Sequence, residues 1–271
     1  DIRNRWREYY DNLLNTAPVA AANVEEAVAS LPQYPEFPEL DAPPTHEEIE
    51  NAIKLLKNGK APGPDALPAE IFKHGGRSLR RELHALFLKI WTEERVPKDF
   101  RDATVVNVYK RKGDRADCTN YRGPSLLNAA GKILARIITT RLQNVLEALF
   151  PETQAGFRAG RGTVDMMFAV RQIQEKVKEQ NSQLYAVFID LKKAFDMVHR
   201  KALWTALRRL GCPVKLVNVL KSLHEGNEAR VIVGGELTES FPVTSGVRQG
   251  CVAAPLLFNV FMTAMLTLVD R

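Results

Sequence analysis

Leu184-Tyr185-Ala186-Val187-Phe188-Ile189-Asp190-Leu191-Lys192-Lys193-Ala194-Phe195-Asp196 is the stretch on which the reading of this chain turns. Leu184 to Ile189 is a nearly continuous apolar run of strand length, so a central strand buried on both faces is expected there. Asp190 ends the run, where an emerging strand displays a carboxylate to solvent. A carboxylate on a rigid strand end suits a hard cation such as Mg²⁺ in phosphoryl transfer. Capping offers the plainer alternative, Asp190 closing the turn and Asp196 starting the helix that follows.

Downstream, two short helical stretches (about 200 to 210 and 214 to 224) precede a β-hairpin turned at Gly234-Gly235. The chain then crosses Gly246-Val247-Arg248-Gln249-Gly250, where missing Cβ atoms would let backbone approach a base or template. Upstream, a helix runs to about Gln180 from a Gly- and Arg-rich loop, residues 156 to 162. A long helix carrying Ile133, Leu134, Ile138 and Leu142 precedes that loop and is closed by Pro151. Ala103 to Lys110 alternates as a strand into a basic turn. An amphipathic helix bears Leu83, Phe87 and Trp91 on one stripe. Thr45 with Glu48 forms a capping-box signature ahead of another helix, which Asn58-Gly59 stops. Residues 1 to 44, rich in Ala and Pro after Trp6, Tyr9 and Tyr10, are expected to be a lead-in with weak structure of its own.

The 271 residues are 45% hydrophobic and 26% charged, which excludes a disordered, collagen-like or small disulfide-stapled chain. A net charge of +6 hides a division: residues 1 to 50 hold three basic and eleven acidic side chains, and residues 51 to 271 hold 35 and 21. An acidic leader of −8 thus precedes a body of +14, which suggests a polyanionic partner, with a solvated basic surface as the plain alternative. Lys110, Arg111, Lys112, Arg115 and Arg122 form the densest basic stretch, and Arg158 and Arg161 could join it to hold phosphates.

Cys118, Cys212 and Cys251 fit neither a zinc spacing nor a disulfide framework, so a reducing, intracellular compartment is expected. No secretory leader is visible at the first residues, and the missing initiator Met suggests a piece of something longer. The uncharged run from Val252 to Val269 is broken by Pro255, Asn259 and Thr263, which favours a buried helix over a membrane span.

In their order along the chain these signals resemble the reverse transcriptase of non-LTR, LINE-type retrotransposons, over residues 57 to 271. The resemblance rests on the Lys57-to-Asp65 loop, Tyr109 to Asp114, Asn120 to Asn128, Gln154 to Arg158, Phe188 to Asp196 and Gly246 to Cys251 with Pro255 to Asn259. It implies an α+β right-hand polymerase: helical fingers over 45 to 183 and a partial palm with antiparallel strands over 184 to 271, the reverse transcriptase domain itself running from about 90 to 271. Asp190 would be the catalytic carboxylate and, with the Leu191 carbonyl, a ligand of two Mg²⁺ ions. Phe195 would lie under the sugar and exclude a 2′-hydroxyl. Lys110 and Arg122 would hold the triphosphate, Gln249 and Gly250 would contact nucleotide and template, and Arg111, Lys112, Arg158 and Arg161 would line the nucleic-acid path. An RNA template, a DNA primer and deoxynucleotides become the expected partners, without a membrane, in cytoplasm and nucleus.

Two departures accompany the match. The family's paired-aspartate turn does not occur before Arg271, so the chain is expected not to polymerise by itself. Val252-Ala253-Ala254 and Pro124 stand where the family usually has Pro-Leu-Ser and Ile. A catalytically dead, nucleic-acid-binding remnant is therefore the alternative.

Overall fold

Buried apolar stripes build most of this molecule, and they do so on helices. The computed structural model describes residues 1–15, 21–248 and 250–269. In chain order the elements are α1 (Ile2–Leu14), α2 (Ala21–Ala29), α3 (His46–Lys54), α4 (Ala69–His74), α5 (Arg77–Glu93), α6 (Lys98–Arg101), β1 (Ala103–Val106), β2 (Val108–Tyr109), β3 (Tyr121–Arg122), β4 (Ser125–Leu126), α7 (Ala129–Leu146), α8 (Thr163–Glu179), α9 (Arg200–Arg209), α10 (Val214–His224), β5 (Glu228–Val233), β6 (Glu236–Leu237), β7 (Phe241–Pro242) and α11 (Ala254–Val269). The class is α+β.

Ile133, Leu134, Ile138 and Leu142 run along α7 at helical spacing and are fully enclosed. Phe87, Ile90 and Trp91 of α5 share their cluster, as do Leu203 and Leu207 of α9, Leu220 of α10 and Leu257 of α11. Local signals start these helices where the sequence puts them. Thr45 Oγ1 accepts from the Glu48 amide at 3.2 Å while Glu48 accepts from the Thr45 amide at 2.8 Å, a complete capping box on α3. The Asn128 side chain caps α7 by accepting from Gly131 N at 3.1 Å.

The main sheet has the order β4-β1-β5-β6, with β7 also pairing β5. It is mixed, because β1 and β5 run parallel while the other pairs are antiparallel, so the antiparallel expectation holds only in part. Val233 pairs Glu236 across Gly234 and Gly235, both at positive φ (61° and 87°). That is a two-residue hairpin at the predicted glycines. Among the described residues no helix is long and apolar enough to cross a membrane.

Two expectations fail. Leu184 to Ile189 is not a buried central strand: the run has no ladder partners, and Val187 and Phe188 are 84% and 88% exposed. An apolar run records that both faces want cover, and the place beside β1 is taken by β5.

Nor is the lead-in weakly structured. Asp1 caps α1 through the Arg3 amide, and Tyr10 is buried with Val105, Val231 and Phe241 of the sheet, Trp6, Leu13 and Leu14 packing around them. Farther on, Tyr34 N donates to Arg209 O at 2.7 Å and Phe37 N to Gly211 O at 2.9 Å, tying the chain across the α9–α10 corner. Arg141 then grips Glu48 with two bonds (2.5 and 2.6 Å) and reaches Pro43 O at 3.0 Å. Sequence statistics miss such anchors because each partner lies about a hundred residues or more away.

Candidate nucleotide and nucleic-acid site

Strands β2 and β3 form a two-stranded ribbon in which Val108 faces Arg122 and Tyr109 faces Tyr121. Side chains alternate along a strand, so Lys110 and Arg122 share one face and the two tyrosines the other. The tyrosine rings sit 5.2 Å apart, and Trp6 of α1 meets Tyr121 edge-on at 4.9 Å. Packing of that aromatic face on α1 leaves the cationic face to solvent. Lys110 Nζ donates to Thr119 O at 2.8 Å, which fixes its stem. Arg111 and Lys112 are exposed at the tip, Arg111 with φ +59°.

The ribbon continues into Ser125, where the later glycine loop arrives. Gly250 has φ +106°, and a Cβ there would stand 2.7 Å from Ser125 O. Only glycine permits this approach. Gly246, at φ +70°, leans the same way on the Phe195–Asp196 backbone, its missing Cβ 2.6 Å from Asp196 Cα and O. Val247 N donates to Phe195 O at 2.8 Å and Gly246 N to Val198 O at 3.1 Å. Phe195, Gly250 and the Arg122–Ser125 segment are thus tied to one loop. Gln249 lies outside the described residues.

Sequence reasoning missed what holds that loop. Arg200 donates to Gly246 O (2.8 Å), His224 O (2.5 Å), Val243 O (3.0 Å) and Ser245 O (3.1 Å), and burial draws its pKa down to about 10. Arg248, in the middle of that glycine loop, is turned inward and donates to Arg101 O and Leu223 O. Arg158 also faces inward, giving bonds to Glu147 Oε1 (2.8 Å), Pro151 O (2.7 Å), Gln154 O (3.1 Å) and Glu147 O (3.2 Å). Arg161 is bound to Glu152 Oε2 at 2.5 Å. Neither arginine joins the exposed cations of the ribbon, because carbonyl-rich turns consume guanidinium donors; a count of charges cannot show this.

Asp190 is exposed on the unpaired run, with Leu191 half-exposed beside it. Among the described residues no group of three or more His, Cys, Asp or Glu is placed to hold a metal. One carboxylate and one carbonyl fall short of the six oxygens that Mg²⁺ requires, so the described residues do not by themselves make the two-ion site.

Asp196 is no helix cap either, since His199 caps α9 through the Ala202 amide. Asp196 lines a cavity of about 30 Å³, room for one water, with Tyr10, Gly123, Ser125 and Arg248. Burial pushes Asp196 up to about 6, and Lys193 pulls weakly the other way. A raised folded pKa means that the folded state holds the proton more tightly, so stability is greatest below the unfolded value of 3.8 and is lost as pH rises through about 6. Asp196→Asn is therefore expected to remove that decline and to stabilise the chain at pH 8 by on the order of 3 kcal/mol. Denaturant melts of both proteins from pH 4 to 8 check it; parallel curves would sink the assignment.

A groove of about 680 Å³ that includes His199, Lys201 and Lys221 is a poor phosphate site. Its lysines are already paired, Lys201 with Glu25 (2.9 Å) and Lys221 with Glu225 (3.7 Å), and the His199 ring lies 3.5 Å from Glu25.

A ribbon of cations, a glycine loop closed on it and a carboxylate-bearing segment beside that loop define a class, and residues 109–271 match the model of the family described as reverse transcriptase (RNA-dependent DNA polymerase). The chain belongs to that family. It is 32% identical over 226 residues, 82% of its length, to the RNA-directed DNA polymerase from mobile element jockey of Drosophila melanogaster. Over 272 residues and 100% of its length it is 29% identical to the transposon TX1 uncharacterized 149 kDa protein of Xenopus laevis. It is 30% identical over 261 residues to the putative 115 kDa protein in type-1 retrotransposable element R1DM of Drosophila melanogaster, covering 94% of its own length. These matches agree with the non-LTR resemblance. The chain spans only 21% to 24% of the length of these relatives.

Proposed function

We propose that the chain is the fingers (45–183) and partial palm (184–271) of a right-hand RNA-directed DNA polymerase. Such an enzyme extends a DNA primer with deoxynucleotides on an RNA template inside the cell, in cytoplasm and nucleus and without a membrane. The observation that carries the reading is the ribbon, with Lys110 and Arg122 on its open face and its continuation at Ser125 closed by Gly250. Cations on one rigid face can take a triphosphate or a strand's phosphates, and the adjoining Phe195 can meet a sugar. Asp190 and the Leu191 carbonyl are what this chain offers to Mg²⁺, the family's source of phosphoryl charge neutralisation.

RNA binding by the chain tests the proposal. Lys110→Ala and Arg122→Ala should each weaken binding and each lower the slope of log K against log salt by about 1, because each removes one phosphate contact. Unchanged slopes would show that the ribbon is not the phosphate face. A non-catalytic RNA-binding remnant is the second reading, favoured by the lack of a three-ligand metal group among the described residues. RNA binding without primer extension by a longer reading frame carrying this chain would establish it.

A further inference from the structure

Phe157 is an apolar ring mounted in an unusual way. Its backbone is left-handed at φ +56°, a conformation that non-glycine residues adopt rarely and that clusters at ligand-contacting positions. The turn around it is heavily pinned from within. Asn259, buried on α11, donates to Gly156 O at 3.0 Å, Ala155 is buried, and Arg158 spends four bonds on the carbonyls of Glu147, Pro151 and Gln154 and on the Glu147 carboxylate. The ring itself is 57% exposed.

That ring stands edge-on to Phe195 at 5.8 Å and 72°, and Phe195 continues to Phe258 at 5.1 Å. Phe195 and Phe258 pack against the core while Phe157 does not, so it completes an aromatic row that opens to solvent. An exposed aromatic on a rigid support in a chain that binds single strands is a stacking platform, since every base has a π-face to offer.

The cations nearby decide what stacks there. A free nucleotide would bring a triphosphate, but both arginines that follow Phe157 are engaged, Arg158 with carbonyls and Glu147 and Arg161 with Glu152. A polynucleotide strand suits this ring, because its phosphates can lie along Lys110 and Arg122 and need no cation beside Phe157.

We propose that Phe157 stacks an unpaired base of the RNA template strand beside Phe195. This rests on the polymerase reading above and adds a base-contacting residue to it. The test is equilibrium binding of a short single-stranded RNA by the whole chain, compared with an abasic RNA of the same length and with deoxynucleotide triphosphate alone. Phe157→Ala should bind the RNA about tenfold more weakly at an unchanged salt slope, and Phe157→Trp should restore or exceed the original affinity. The abasic strand should not distinguish the three proteins. Equal binding by Phe157→Ala, an equal loss on the abasic strand, or a loss confined to the free triphosphate would each overturn the assignment while leaving the polymerase reading standing. Absence of RNA binding by the unaltered chain would remove both.

Discussion

Primer extension on an RNA template is expected to fall roughly 10²–10³-fold when Asp190→Ala is introduced into a longer reading frame that carries this chain, the loss typical of removing one electrostatic group from a reacting centre. Asp190 is exposed and makes no hydrogen bond or ion pair among the described residues, so the substitution should alter stability by no more than about 0.5 kcal/mol. The separation of the two effects is the point: a structural capping residue would shift the melting transition and leave extension largely intact. Asp196→Asn provides the internal comparison, because a half-buried carboxyl with its pKa pushed up to about 6 is a poor centre of fixed charge. Extension by Asp190→Ala at the original rate, with Asp196→Asn inactive, would exchange the roles of the two residues.

The second large effect is on stability. Gly246→Ala combines a left-handed backbone at φ +70° with a Cβ placed 2.6 Å from the Asp196 and Phe195 backbone, and neither atom set can swing away as a side-chain tip could. Strain of the backbone costs about 1 kcal/mol and overlap with fixed atoms about 1–3 more. A loss of about 2–4 kcal/mol is expected, which corresponds to a fall in Tm of roughly 5–15 °C for a chain of this size. Gly234→Ala separates the two causes, because Gly234 also has positive φ (+61°) but nothing within 4 Å of the added carbon. It should cost about 1 kcal/mol only. Equal losses at the two glycines would mean that the Gly246 loop does not press on the Asp196 turn.

How much of this was legible depends on how far each signal reaches along the chain. The α3 capping box, the apolar stripes of α5 and α7 and the glycine hairpin are local patterns, and each formed where the residues indicated. Of the candidate site, the residue types could be named from the sequence, whereas the shared face of Lys110 and Arg122 and the closure of Gly250 on Ser125 are seen only in the structure. Environment was not legible. Nothing in Leu184 to Ile189 says whether a neighbouring strand will be there to pair it. Nothing in the letters Arg158, Arg200 and Arg248 separates a phosphate ligand from a buried clamp on carbonyls, since both need the same guanidinium. The +14 of the body overstates its outward charge for that reason, as several of its arginines are spent inside.

The docking of α1 on the sheet also sets an order of events in time. Leu14 O accepts from the Ser245 amide at 3.1 Å, and the Asn15 side chain takes the Thr244 amide at 2.9 Å. During synthesis at about 5–20 residues per second, the C-terminal end of α1 waits roughly ten to forty-five seconds before Thr244 and Ser245 exist. A 13-residue helix is marginal in water over that interval. Trp6 has Tyr121 as a partner well before that, so the last step at this end of the fold is the fastening of Leu14 and Asn15 to Ser245 and Thr244.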